Sequence, residues 1–132
     1  MSTQDIRQLA DRFIEKLHRV EAGEQKEVEE LAALFADGAD LVNPQLERRG
    51  EPERGRDGAR RFWELYRAGF RSIRSDFHAV TTSGDAAGLF WRSKGTDVNG
   101  RNIDYAGATL LRFDGEGKIR NLRGYFDSRA LA

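Results

Sequence analysis

Four side chains in this sequence carry groups that chemistry on a small molecule would use: Asn43, Arg92, Tyr105 and Asp127. The Tyr105 phenol can donate to a carbonyl, or to the charge that develops on an enolate oxygen. The Arg92 guanidinium is a planar fork that grips a carboxylate through two parallel hydrogen bonds. Asn43 can orient a water or hold a carbonyl, although an Asn-Pro pair also opens turns. Asp127 follows the last apolar run, as an acid at the mouth of a pocket or as the cap of a C-terminal turn. Asp76 and His78 share one strand face, the spacing of a base and its orienting group, with Phe77 on the opposite face. His18 lies off its helix's apolar stripe and reads as a surface residue. The two histidines are far apart and cysteine is absent, so thiolate catalysis is excluded and no metal site is expected. No phosphate loop, dinucleotide fingerprint or nucleophile elbow occurs, so no cofactor is expected.

These groups sit in a chain of 132 residues that is 39% hydrophobic and 33% charged, with 22 Lys and Arg against 22 Asp and Glu. That length suits one domain, residues 1–132, able to bury about two-thirds of its unfolded surface without disulfide staples. A net charge of zero lacks the positive field that binding to nucleic acid or anionic membrane relies on, and neither partner is expected. No run approaches the roughly 18 consecutive apolar residues of a spanning helix, and the expected location is the cytoplasm. Eight Phe, three Tyr and two Trp in so charged a chain predict an aromatic core.

The apolar residues change period once along the chain. Ile6, Ala10, Phe13, Leu17 and Val20 recur at helical spacing behind Ser2 and Thr3 and before Gly23. Val28, Leu31, Ala32 and Phe35 predict a second helix behind the acidic stretch Glu24 to Glu30, ending at Gly38. Asp57 can cap a third, with Ala59, Phe62, Leu65 and Tyr66 as its stripe and Gly69 as its exit. Residues 39–50 read as a small hairpin bent at Pro44, and the arginine-rich stretch from Arg48 to Arg61 as a solvated loop. From Phe70 onward the chain reads as strands 70–83, 87–97, 101–113 and 118–126, with Asn99-Gly100 as a hairpin pair. Helices followed by a meander indicate an α+β domain.

Particular stretches give this order a resemblance. Leu31 to Pro44, Glu51 to Gly55 and Gly58 to Phe62 resemble the second helix, base-bearing strand and third helix of ketosteroid isomerases. Leu111 to Ile119 and Arg123 to Asp127 resemble the last hairpin of the wider nuclear-transport-factor-2-like superfamily, which includes limonene epoxide hydrolases and SnoaL-like polyketide cyclases. The resemblance implies a cone: a curved antiparallel sheet, built from a four-strand meander plus a short hairpin, wrapped around three N-terminal helices. It does not carry the isomerase's chemistry over. The base falls on Asn43, the phenol on Phe13 and the protonated Asp on Thr109, while the hydrolase's charged groups fall near Phe90, Arg92 and Gly124. For the cyclases, whose acid and base groups sit on the last strands, Asp127 is the nearest carboxylate.

The resemblance points Asn43, Thr109, Leu122 and Gly124 inward, and strand alternation then adds Phe90, Arg92, Lys94, Tyr105 and Phe126. Phe13, Leu17 and Phe62 join them from the helices. The expected ligand site is therefore aromatic and cationic, suited to a small, largely apolar molecule with an acidic or carbonyl group. Three readings stand for Arg92: it grips a ligand carboxylate, it pairs with Asp40, Asp104 or Asp127, or it points to solvent at the mouth. Tyr105 is either a donor to the ligand or a buried phenol that satisfies itself. Leu89, Trp91, Ala106, Ala108, Leu110 and Tyr125 are expected on the outer face, an apolar patch that a second copy would cover. Isomerase, cyclase or dehydratase chemistry, a non-catalytic binding domain and a structural dimerisation unit with a filled core all remain open.

Overall fold

Ser2 starts the first helix, α1 (Thr3–Glu21), through a capping box in which its hydroxyl accepts from Asp5 N while Asp5 accepts from Ser2 N, both at 3.1 Å. The apolar stripe of α1 is fully buried from Ile6 to Val20. The structure, a computed structural model, describes residues 2–23 and 26–131, so Met1, Glu24, Gln25 and Ala132 lie outside it. The acidic stretch read as the start of the second helix therefore begins outside the described residues.

That second helix, α2 (Lys26–Ala32), is shorter than its spacing predicts. Phe35 keeps helical spacing from Leu31, yet it opens a strand, β1 (Phe35–Val42), and is completely buried there. The predicted bend at Pro44 is a helix. Asn43 caps α3 (Pro44–Arg49) by accepting from Leu46 N at 2.9 Å, and proline at the first helical position gives up only an N–H that has no partner in any helix. After α3 the chain returns as β2 (Glu53–Arg54), antiparallel to β1, so the short hairpin exists with a helix in its connection. The helix α4 (Gly55–Ala68) starts two residues before Asp57 and buries Ala59 and Trp63.

The meander follows as β3 (Phe70–Ser83), β4 (Ala86–Asp97), β5 (Asn102–Phe113) and β6 (Ile119–Phe126). The sheet has the order β2-β1-β6-β5-β4-β3, with β1 and β6 parallel and the other pairs antiparallel. A 3₁₀ turn, Ser128–Leu131, ends the described chain. The fold is α+β, with α1 and α4 packed across the concave side of the curved sheet. No described helix is long and apolar enough to cross a membrane. The stretch from Arg48 to Arg61, expected as a solvated loop, runs through α3, β2 and α4, and four of its six arginines pair with acids, among them Arg54 on Asp40 and Arg61 on Glu53.

One register decides which β4 side chains face inward. Asn99-Gly100 as a two-residue turn would set Phe90 opposite Thr109. Instead the loop has three residues, closed by Asp97 N to Arg101 O at 2.9 Å and Gly100 N to Asp97 O at 3.1 Å. Gly100 takes φ 84°, the left-handed position such a loop requires, and the Asp97 side chain accepts from Asn99 N and Arg101 N, both at 2.9 Å. Leu89 thus faces Thr109, and Ser93 faces Tyr105. A one-residue shift turns every side chain of a strand over. Leu89, Trp91 and Ser93 are inside, while Phe90, Arg92 and Lys94 are outside.

Candidate functional site

Between the sheet and the two long helices lies a cavity of about 410 Å³. Its walls carry two aromatic groups. On the helical side Trp63 packs against Phe13, Phe62 and Tyr66 at ring distances of 5.9, 4.7 and 5.5 Å. On the sheet side Trp91, Tyr105 and Phe126 form a triangle with centroids 5.2 to 6.2 Å apart. Contacts at these distances and steep angles fix ring orientations as well as burying area. Exposed Arg49, Val98, Asn99 and Arg101 stand at the rim.

A polar network is set into this apolar wall. The last residue of α1, Glu21, is only 5% exposed. Its Oε1 accepts from Ser75 N at 2.9 Å, and its Oε2 accepts from Ser75 Oγ at 2.6 Å and from the Tyr66 hydroxyl at 2.7 Å. Ser75 Oγ lies 2.5 Å from Ser93 Oγ on the neighbouring strand. Burial, and then the negative charge of Glu21, push the Tyr66 phenol far above its ordinary value, and the same two causes raise Tyr105. His18 is half-buried rather than on the surface, with Nε2 2.8 Å from the Ser75 carbonyl oxygen and its ring tilted over Phe77. Among the described residues no group of three His, Asp or Glu side chains converges as a metal site would.

Three further side chains of the wall carry donors. Trp91 Nε1 donates to Thr109 Oγ1 at 3.0 Å, and the Thr109 hydroxyl proton is left to point elsewhere. The Asn43 carbonyl is used as the cap of α3, which leaves the amide N–H groups of this cavity-lining residue outside that bond. Among the described residues the Tyr105 hydroxyl has no protein partner.

With this geometry in view, the sequence profile of the SnoaL-like domain matches residues 12–122. The chain belongs to the SnoaL-like family. Two solved structures share the fold of this SnoaL-like domain, both described as NTF2-like proteins of unknown function. The one from Exiguobacterium sp. 255-15 is 21% identical, with a TM-score of 0.75 over 90% of this chain and 98% of its own. The one from Burkholderia pseudomallei K96243 is 20% identical, with a TM-score of 0.80 over 98% of this chain and 94% of its own. At those identities the likeness concerns the fold alone. No curated protein matches the sequence.

In the SnoaL-like domain, Phe13, Leu17, Asn43, Phe62, Tyr105, Thr109, Leu122, Gly124 and Phe126 all come together at the cavity. Three expected site residues do not. Phe90 is 40% exposed on the outer face. Arg92, on that same face, donates through Nε and Nη2 to Asp104 at 2.8 and 2.9 Å. Both are displaced by the three-residue loop, so the inward cation expected from sequence is absent and the argument for an acidic ligand goes with it. Asp127 caps the 3₁₀ turn, accepting from Arg129 N at 3.0 Å and Arg129 Nη2 at 2.7 Å. Sequence reasoning missed Trp91, placed on the wrong face, and the network of Glu21, Tyr66, Ser75 and Ser93. The signal for Glu21 was its position four residues after Leu17, on the buried stripe of α1.

The titrations of this domain set limits to its stability range. Hydrogen bonds from Arg129 hold Asp127 at about 2, and those from Arg101, Arg92 and Arg120 lower Asp97, Asp104 and Asp85. A carboxyl lowered by folding contributes fully above its unfolded value near 4, and the contribution vanishes as pH falls through the folded value. A phenol raised by folding, as Tyr66 and Tyr105 are, contributes fully below about 10 and loses this above it. The urea midpoint, followed by tryptophan fluorescence, should therefore fall from about pH 4 toward pH 2 and again above about pH 10. A midpoint that rises on acidification would contradict these assignments.

Proposed function

We propose that residues 1–132 form one domain that binds a small, largely apolar, carbonyl-bearing molecule in this cavity and works as a cytoplasmic homodimer. The observation that carries the reading is a void of about 410 Å³ with aromatic walls on both sides, the sheet wall carrying a Tyr105 hydroxyl that has no protein partner among the described residues. A structural unit with a filled core would have no such void. A binding role is favoured over isomerase, cyclase or dehydratase chemistry because among the described residues no uncommitted carboxylate lines the cavity. Glu21 already receives three donors, and at the rim Glu53 and Asp97 are bound by Arg61 and Arg101.

The test is binding of 2-acetylnaphthalene and 2-ethylnaphthalene, measured by quenching of Trp63 and Trp91. The ketone should bind more tightly than the hydrocarbon, and Tyr105→Phe should reduce that ratio about tenfold, the weight of one buried hydrogen bond. An unchanged ratio would remove Tyr105 as the carbonyl donor. For the dimer, support comes from the outer face, where Phe90 is 40% and Tyr125 48% exposed around Ala106, Ala108 and Leu110. Light scattering at micromolar concentration should give twice the chain mass, and a monomer would end this part of the reading.

A further inference from the structure

The direction of the hydrogen bonds behind the cavity wall is fixed by counting protons. Glu21 accepts from three donors, as an ionised carboxylate does, and has no proton of its own to give. Ser75 has one hydroxyl proton, and at 2.6 Å it belongs to Glu21 Oε2. Ser93, 2.5 Å from Ser75 Oγ, must then give its single proton to Ser75. What Ser93 turns to the cavity is an oxygen with lone pairs only. Tyr66 is oriented in the same way, since its proton is also held by Glu21. Ser93 is 1% exposed, and among the described residues no other side chain bonds to it. An acceptor buried this deeply is costly when nothing donates to it. No basic side chain forms an ion pair with Glu21 among the described residues, so the field at this end of the cavity is negative.

We infer that the cavity is built for a ligand whose buried end is a hydrogen-bond donor, an O–H or N–H group on an apolar body, received by Ser93 and Tyr66 and oriented by the Glu21 carboxylate behind them. This rests on the binding role proposed above and adds a polarity to it. Tyr105, which stands opposite Ser93 on the neighbouring strand, offers a donor beside these two acceptors, and Asn43 offers a further one. A carboxylate ligand is rejected from this end by charge, the reverse of the selectivity expected from sequence.

The experiment compares 2-naphthol, 2-naphthylmethylammonium and 2-methoxynaphthalene, which share one apolar body, by calorimetry and tryptophan quenching. At least one of the two donors should bind about tenfold more tightly than the ether, which leaves the Ser93 oxygen dry. Preference for the naphthol identifies an alcohol or phenol as the ligand class, and preference for the ammonium identifies an amine. In Ser93→Ala the advantage of the donor should shrink to about twofold. Discrimination in the unmodified protein carries the test should that variant not fold. Equal binding of all three probes would overturn the inference and leave the cavity reading standing, whereas no binding by any of them would overturn both.

Discussion

Glu21→Ala should lower the free energy of unfolding by about 3 kcal/mol, read as a fall in the urea midpoint at neutral pH. The substitution takes one carboxylate from a site that is 5% exposed and strands Ser75 N, Ser75 Oγ and the Tyr66 hydroxyl. Each stranded buried donor costs about 1–3 kcal/mol, and the two hydroxyls recover part of that by rotating. Against a total stability of about 5–15 kcal/mol the loss is a large fraction. The size of the effect is a statement about dryness. Water reaching the network would replace the lost acceptor, and a cost below about 1 kcal/mol would show that it does. A cycle with Tyr66→Phe separates the terms: the double variant has one stranded donor fewer, so it should lose about 1 kcal/mol less than the two single losses added together.

Gly107→Ala should be comparably destabilising, about 3 kcal/mol, and should also close the cavity to the naphthalene probes. A Cβ built on Gly107 would lie inside the contact shell of the Tyr125 carbonyl oxygen and 2.7 Å from Trp91 Cζ2. The carbonyl belongs to β6, paired with β5 at this point, and cannot retreat without opening the ladder. The indole can move only toward the cavity, giving up its bond to Thr109 and its packing on Tyr105. Stability and binding should therefore fall together. Gly115→Ala is the matched control, because a Cβ there meets nothing within 4 Å. It should change stability by no more than about 0.5 kcal/mol and leave binding intact. Retained probe binding in Gly107→Ala would mean that Trp91 is not the wall of the site.

The strands that could be read correctly are those where only one choice of face makes sense. In β5, Ile103 and Tyr105 alternate with the polar or small Asn102, Asp104 and Ala106, so the buried side is decided there by the pattern itself. In β4, Leu89, Phe90 and Trp91 put apolar groups on both faces, and alternation has nothing to say. Only the length of the following loop sets which face is in, and Asn99-Gly100 is compatible with two lengths. That single ambiguity moved Phe90, Arg92 and Trp91 together, and with them the charge of the site. Glu21 was hidden differently: a carboxylate on an apolar stripe reads as the end of a helix, and its three donors come from α4 and β3, far away in sequence. Residues 39–50 read as too short and turn-rich for a helix, with Pro44 at the bend, yet proline at the first helical position begins one. The cone itself was legible, since the change of period at Phe70 and the order of elements survive every one of these local errors.

The parallel pairing of β1 with β6 joins residues such as Leu41 and Leu122, which are separated by most of the chain. During synthesis β1 has no partner on its inner edge until the last strand has been made, and the stripe of α1 has no complete sheet to cover it. Loop closure over so long a span comes late in folding and is slow compared with helix formation. Assembly of the cone is thus tied to the synthesis of β6, and until then the aromatic walls of the future cavity are open surface that other chains can touch.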